Sequence, residues 1–285
     1  MSIPQAPRPK FDPWAKRSWT DLGPRVASGV VLIVVTVLGL YLGGYVFAAL
    51  VGIAFAGCYR EWERMVTLKP LTPVGGVLVG LVAAATLAYP WLGPLATLAL
   101  LALAAALAAV DRDAALWRIA GLLFFGAVAL ALVAMRGTGW DGFLAALFLG
   151  IVVWLTDTGA FFTGRQVGGE KLAPGISPGK TWSGAIGGLA IGTLGGLIYW
   201  LFTTTSPWWI GLMLAGGISV IAQIGDLAES AVKRRFRIKD SGDIIPGHGG
   251  LMDRLDSLTF AALLAFAVGV GHAGYGAIAS GLIHW

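Results

Sequence analysis

Charge is scarce in this chain. Asp, Glu, Lys and Arg supply 12% of its 285 residues, against roughly 25% in soluble domains. Hydrophobic residues supply 57%, and the mean hydropathy is +0.79. That balance excludes an ordinary water-soluble domain and indicates a polytopic membrane protein. The chain has one cysteine, Cys58, so an internal disulfide framework is excluded. Residues 1–23 are polar and Pro-rich, with no apolar core beside a small-residue cleavage site, so they do not read as a cleavable signal. Trp14 and Trp19, beside Lys16, Arg17 and Arg25, read instead as an interfacial anchor. A Walker A loop is also missing. Gly179-Lys180-Thr181 ends such a pattern, but its first glycine is replaced by Pro174.

What is present is apolar sequence in span-sized runs. A helical span needs about 20 apolar residues. The runs Val26–Leu42, Tyr45–Tyr59, Val74–Tyr89, Leu92–Val110, Leu116–Met135, Gly142–Phe162, Gly184–Phe202, Trp208–Ile224 and Leu258–Leu282 predict about nine transmembrane helices. The expected fold class is an all-α polytopic integral membrane protein. With the N-terminus placed in the cytoplasm, nineteen of the twenty Lys/Arg fall in cytoplasmic segments and Arg136 alone falls outside. The positive-inside rule favours that arrangement. Tyr89-Pro90-Trp91 and Pro207-Trp208-Trp209 then lie at the outer interface. The expected organisation is an interfacial segment over 1–25, a scaffold of about five helices over 26–135 and a catalytic part of about four helices over 136–285. The catalytic part carries cytoplasmic loops at 163–183 and 225–257. Gly184, Gly188, Gly192 and Gly196 recur every fourth residue, which predicts a face for close helix packing.

The charge that exists is concentrated. Residues 225–257 hold six of the fifteen carboxylates and six of the twenty Lys/Arg, between two apolar runs. Asp226 and Glu229 share a helix face at i, i+3, and Asp253 and Asp256 repeat that spacing. Two helix ends can therefore present four carboxylates, hard oxygen donors that suit Mg²⁺; the alternative is a solvated, salt-bridged loop with Glu229 paired to Lys233. Lys233, Arg234, Arg235, Arg237 and Lys239 suit phosphates or simply anchor the loop to anionic headgroups. Pro246-Gly247-His248-Gly249-Gly250 lets backbone approach a phosphate. His272 and His284, in or after the last run, read as packing or interfacial residues. A second polar island covers 154–184. Asp157 lies in the last turns of an apolar helix, where a carboxylate is costly and suggests function. Arg165, Lys171 and Lys180 offer phosphate donors. Ser177 and Thr181 either touch substrate or cap the next helix.

Ser230, Lys233, Arg234, Lys239 and Asp240, followed by Pro246-Gly247-His248-Gly249-Gly250 and by Asp253, Arg254 and Asp256, resemble the signature of the phosphatidate cytidylyltransferases, also called CDP-diacylglycerol synthases. Asp157-Thr158-Gly159-Ala160, Gly164-Arg165, Ser177-Pro178 and Lys180-Thr181-Trp182 are similar to family sequence too. The resemblance covers about residues 154–257. Gly179 and Ser183 depart from it, standing where family members often have a second Lys and a Glu.

The resemblance implies an inner-membrane enzyme that makes CDP-diacylglycerol and pyrophosphate from CTP and phosphatidate. It implies Mg²⁺, with room for a second cation. Membrane lipids are expected partners, nucleic acid is not, and a homodimer is left open. Asp226 and Asp253 are the implied metal ligands, with Asp256 and Asp157 next. Lys180, Lys239, Arg254 and His248 are implied to bind phosphates. Arg165, Lys171, Ser177, Thr181, Ser230, Lys233, Arg234, Gly249 and Gly250 complete the expected substrate site. The competing readings are a CTP-dependent lipid kinase, which would release CDP, and a transporter with broken helices.

Overall fold

The computed structural model describes residues 22–110, 114–242, 244 and 249–285. The helices are α1 (Leu22–Leu42), α2 (Gly44–Thr67), α3 (Pro73–Ala108), α4 (Ala115–Arg136), α5 (Trp140–Gln166), α6 (Trp182–Thr203), α7 (Trp208–Arg235), α8 (Met252–Ala273) and α9 (Ile278–Ile283). Among the described residues, six helices, α3 to α8, are long and apolar enough to cross a membrane. A helix satisfies its own backbone polar groups, which is what a lipid environment demands. The outer surface carries large apolar side chains such as Ile33, Ile53, Ile186, Phe202 and Met213. The chain is a polytopic, helical membrane protein.

Several boundaries differ from the sequence expectation. α2 continues past Tyr59 to Thr67. Its extra turns hold Glu61 and Glu63, which are buried and partnered rather than solvated. Glu63 is paired with Arg118 of α4, whose Nε lies 2.9 Å from Oε1. The two expected runs Val74–Tyr89 and Leu92–Val110 join in α3, which departs from helical geometry at Gly93 (φ 71°, ψ −171°), between Pro90 and Pro94. Gly75, near the start of α3, abuts Glu63. Tyr89 meets the Tyr275 hydroxyl at 2.7 Å. Pro94 shares a cleft with Ala134 and Tyr275, and Leu101 packs on Gly126. Residues 94–108 therefore run back along α4. Gly93 can hold this positive φ without a Cβ clash. The last run, expected over Leu258–Leu282, is broken at Gly274 (φ 79°). A short 3₁₀ turn and α9 then fold back onto the bundle, burying Ile278, Leu282 and Ile283.

The all-α expectation also misses a small hairpin. β1 (Lys171–Ala173) pairs antiparallel with β2 (Ser177–Thr181), Lys171 opposite Thr181 and Ala173 opposite Ser177. Pro174 and Gly175 lie between the strands, residues suited to a tight turn.

The tightest helix contact is made by the four-residue glycine spacing. Gly184, Gly188, Gly192 and Gly196 are all buried. A Cβ on Gly188 would lie 2.7 Å from the Thr156 carbonyl oxygen, and one on Gly192 2.1 Å from Thr156 Oγ1. α6 thus lies directly on the α5 backbone, and Thr156 donates a hydrogen bond to Ser219 Oγ of α7 at 2.8 Å. This three-helix packing fixes where the polar ends of α5, α6 and α7 meet.

Candidate active site

Those ends, with the start of α8, enclose a cavity of about 640 Å³. Asp157 and Arg165 of α5, Lys180 and Thr181 of β2, Asp226 of α7, and Asp253 and Asp256 of α8 all line it. Seven expected site residues, drawn from both polar islands, therefore share one space. Phe161, Leu172 and Ala185 give part of its wall an apolar character.

Each charged group has a definite setting. Lys180 Nζ lies 2.6 Å from Asp226 Oδ2 and bridges the hairpin to α7. Asp157 Oδ1 accepts from the Ser257 hydroxyl at 3.1 Å, and Asp256 Oδ1 accepts from the Ser257 N–H at 2.7 Å. Asp253 Oδ1 takes Lys233 Nζ at 2.6 Å, and its Oδ2 accepts the N–H groups of Ser241 and Gly250 at 3.0 and 3.2 Å. Lys233 also reaches Glu229 at 3.1 Å, so the i, i+4 pairing weighed in the sequence is present. Lys233 is buried and ties α7 to the start of α8. Thr181 both lines the cavity and caps α6, accepting the Gly184 N–H at 3.1 Å.

The other described residues of the expected site are not among those that line the cavity. Arg234 leaves the cavity wall and donates to the carbonyl oxygens of Ile176 and Ile238, at 3.2 and 3.1 Å. It thereby latches the hairpin tip to the end of α7. Lys171 is exposed on β1, Ser177 is half-buried on β2, and Ser230 is half-buried on α7. Lys239 is exposed beyond α7, and Arg254 is exposed on the first turn of α8. Gly249 takes a positive φ of 82°, and Gly250 is buried beside Asp253. His248 lies outside the described residues. At the two positions that depart from the family pattern, Gly179 faces open space on the cavity wall. Ser183 shares a 3.0 Å hydrogen bond with Thr181 and donates to the Gly168 carbonyl oxygen, closing the loop after α5.

Sequence reasoning passed over Glu61. Its carboxylate is 1% exposed and comes from α2, in the half read as scaffold. Oε1 accepts the Leu251 N–H at 3.0 Å. Oε2 accepts the Met252 N–H at 2.8 Å and the Ser241 hydroxyl at 2.9 Å. Glu61 thus satisfies free N–H groups at the start of α8, where an anion is also favoured by the helix dipole. Gly242 and Gly250 are small where their neighbours crowd Glu61 and Ser241. The available signal was Glu61 and Glu63 directly following an apolar run; the partners of Glu61 lie 180 or more residues away.

Among the described residues, no three His, Cys, Asp or Glu form a group ready to hold a metal. The donor chemistry nevertheless fits a hard divalent cation, because four carboxylates border the one cavity. A carboxylate has about four lone-pair sites, so the hydrogen bonds at Asp226, Asp253 and Asp256 leave oxygen capacity for a cation.

Comparison with known proteins identifies the family. The phosphatidate cytidylyltransferase of Brucella suis biovar 1 (strain 1330) is 38% identical over 258 residues, covering 88% of this chain and 94% of the relative. Proteins of the same name from Staphylococcus saprophyticus and Staphylococcus epidermidis are 42% and 46% identical, over 140 and 121 residues. These shorter matches cover 49% and 42% of this chain and 54% and 46% of the relatives. The model of the cytidylyltransferase family matches residues 23–270, and the chain belongs to that family.

Proposed function

We propose that this enzyme transfers the cytidylyl group of CTP to phosphatidate, at the cytoplasmic face of the inner membrane. The observation that carries this reading is the cavity in which Asp157, Asp226, Asp253 and Asp256 face Lys180 and Arg165 at the meeting point of four helices. Such equipment suits a reaction between two polyanions. A phosphatidate oxygen, already anionic near neutral pH, forms a bond to the α-phosphorus of CTP. The bond from that phosphorus to the bridging oxygen breaks, and pyrophosphate leaves. No general base is needed, and the residues act by positioning and by stabilising charge.

In this proposal Lys180 and Arg165 bind phosphate oxygens, and Asp226 orients Lys180. Lys239, Arg254 and His248 are the further phosphate contacts of this proposal. Asp226, Asp253 and Asp256, with Asp157 beside them, would hold Mg²⁺. When bound, that ion neutralises charge on the phosphates and the leaving group. Lys233, Ser241 and Gly250 hold Asp253 in place. CTP enters from water and phosphatidate from the leaflet, against the apolar part of the wall.

The orientation belongs to the same proposal. It is supported by the basic residues gathered around the cavity and by exposed Trp91, Trp208 and Trp209 in the other set of turns. The reversal at Gly93, together with α1 and α2, supports nine crossings rather than six. The test is product analysis with reconstituted protein. Phosphatidate-dependent release of pyrophosphate is expected, and release of CDP instead would contradict the reading in favour of a lipid kinase.

A further inference from the structure

A second cleft, of about 570 Å³, shares no lining residue with the catalytic cavity. The end of α2 and the turn into α3 supply Arg64, Leu68 and Lys69, and the segment after α7 supplies Ile238, Asp240 and Ser241. Arg64 and Lys69 are exposed, and neither is ion-paired with a described residue. Leu68, Leu71 and Val74, exposed apolar side chains, lie beside them in sequence. Cations above an apolar rim suit the headgroup level of a bilayer, where long basic side chains keep their charge in the polar layer.

Left-handed backbone ends two helices at the same place. Leu68 (φ 54°) and Arg237 (φ 59°) are the two non-glycine residues with positive φ among the described residues. Leu68 lines the cleft, and Arg237 immediately precedes Ile238. Leu68 is the C-cap of α2, and Arg237 lies in the turn that closes α7, with Ile238 N–H donating to the Lys233 carbonyl oxygen at 3.0 Å, so both helices end at the cleft.

The charge balance indicates the ligand. Two cations against one carboxylate, Asp240, leave a single net positive charge, which matches a phosphodiester monoanion better than a phosphomonoester dianion. The cleft is also wired to the catalytic cavity. Ser241 donates its N–H to Asp253 at 3.0 Å and its hydroxyl to Glu61 at 2.9 Å.

We propose that this cleft seats the phosphodiester headgroup of an anionic bilayer lipid and steadies the 238–242 segment that holds Asp253. The seat itself does not depend on the reaction; its effect on turnover rests on the cytidylyl-transfer reading.

The test uses the full chain in nanodiscs, with an environment-sensitive fluorophore on Pro70→Cys at the cleft rim; Cys58 is buried. Brominated phosphatidylglycerol is titrated into phosphatidylcholine, and the Arg64→Gln/Lys69→Gln variant is compared with the parent. The expected result is saturable quenching in the parent, with a half-saturating lipid fraction raised about tenfold in the variant. Turnover of the parent should rise several-fold over the same range. The variant should keep the parent's turnover in pure phosphatidylcholine but lose the rise. Equal quenching in both proteins would overturn the seat. Relief of quenching by inorganic phosphate would overturn the lipid assignment in favour of a soluble anion. A quenching difference with no turnover response would overturn the coupling to Asp253. Because the fluorescence reads occupancy without turnover, failure of the seat and failure of the reaction are distinguishable.

Discussion

Lys233 and Glu61 fix the start of α8 from opposite halves of the chain: Lys233 ties α7 to Asp253, and Glu61 holds Ser241, Leu251 and Met252. Glu61→Gln tests this at residue scale. The amide retains one accepting oxygen, but its NH₂ faces groups that donate. Hydrogen bonds to a charged group contribute about 1.5–3 kcal/mol, so kcat should fall about tenfold or more while KM for CTP changes little. Steady-state kinetics of the purified variant checks this, and an unchanged kcat would reduce Glu61 to packing. The carboxylates of the cavity were legible in the sequence because acidic pairs at i, i+3 stand out in an apolar chain. Glu61 was not, because no local spacing connects residue 61 to residues 241–252. Arg136 shows the same limit. Read as the lone outer cation, it is buried and donates to the carbonyl oxygens of Leu40, Tyr41 and Gly139, at 2.6, 3.1 and 3.1 Å. It serves the end of α1 rather than membrane orientation.

At the scale of elements, the glycine face of α6 sets the distance between α5 and α6, and with it the position of Asp157 relative to Lys180. Gly192→Val would place its Cβ 2.1 Å from Thr156 Oγ1. Overpacking of this kind costs about 1–3 kcal/mol, and here it also opposes the Thr156–Ser219 hydrogen bond. The variant should unfold at lower temperature in detergent and lose most of its turnover; Gly271→Ala, on a glycine facing open space, should change neither. The spacing of the glycines predicted a packing face, but not its partner. That depends on which helix offers an exposed backbone, a tertiary matter. The hairpin escaped notice for a related reason. Its strands are three and five residues long, too short for an alternating pattern, and its tip is held by Arg234 from α7. The break at Gly274 was hidden because the apolar composition continues across it while the backbone does not.

At the scale of the whole molecule, the proposed orientation makes a simple prediction. In a Cys58→Ser background, Lys239→Cys should react with a membrane-impermeant thiol reagent only when the cytoplasmic face is exposed, and Trp91→Cys only from the other face. Labelling of both from one side would overturn the crossing pattern. Span composition and charge asymmetry were legible in the sequence because the bilayer imposes them on local stretches. The reversal at Gly93 was legible as two runs. The joining of the two halves through Glu61 and Ser241 required the fold.

The central claim is that the lipid receives the α-phosphorus of CTP. The most direct measurement gives purified protein, in mixed micelles with Mg²⁺ and phosphatidate, CTP labelled at the α-phosphate, and follows the label into the lipid phase. The account predicts lipid-bound label that requires phosphatidate and is lost in Asp226→Asn, with that variant still folded. Label that stays in the aqueous phase with folded parent protein, or that reaches the lipid equally well in Asp226→Asn, would contradict it.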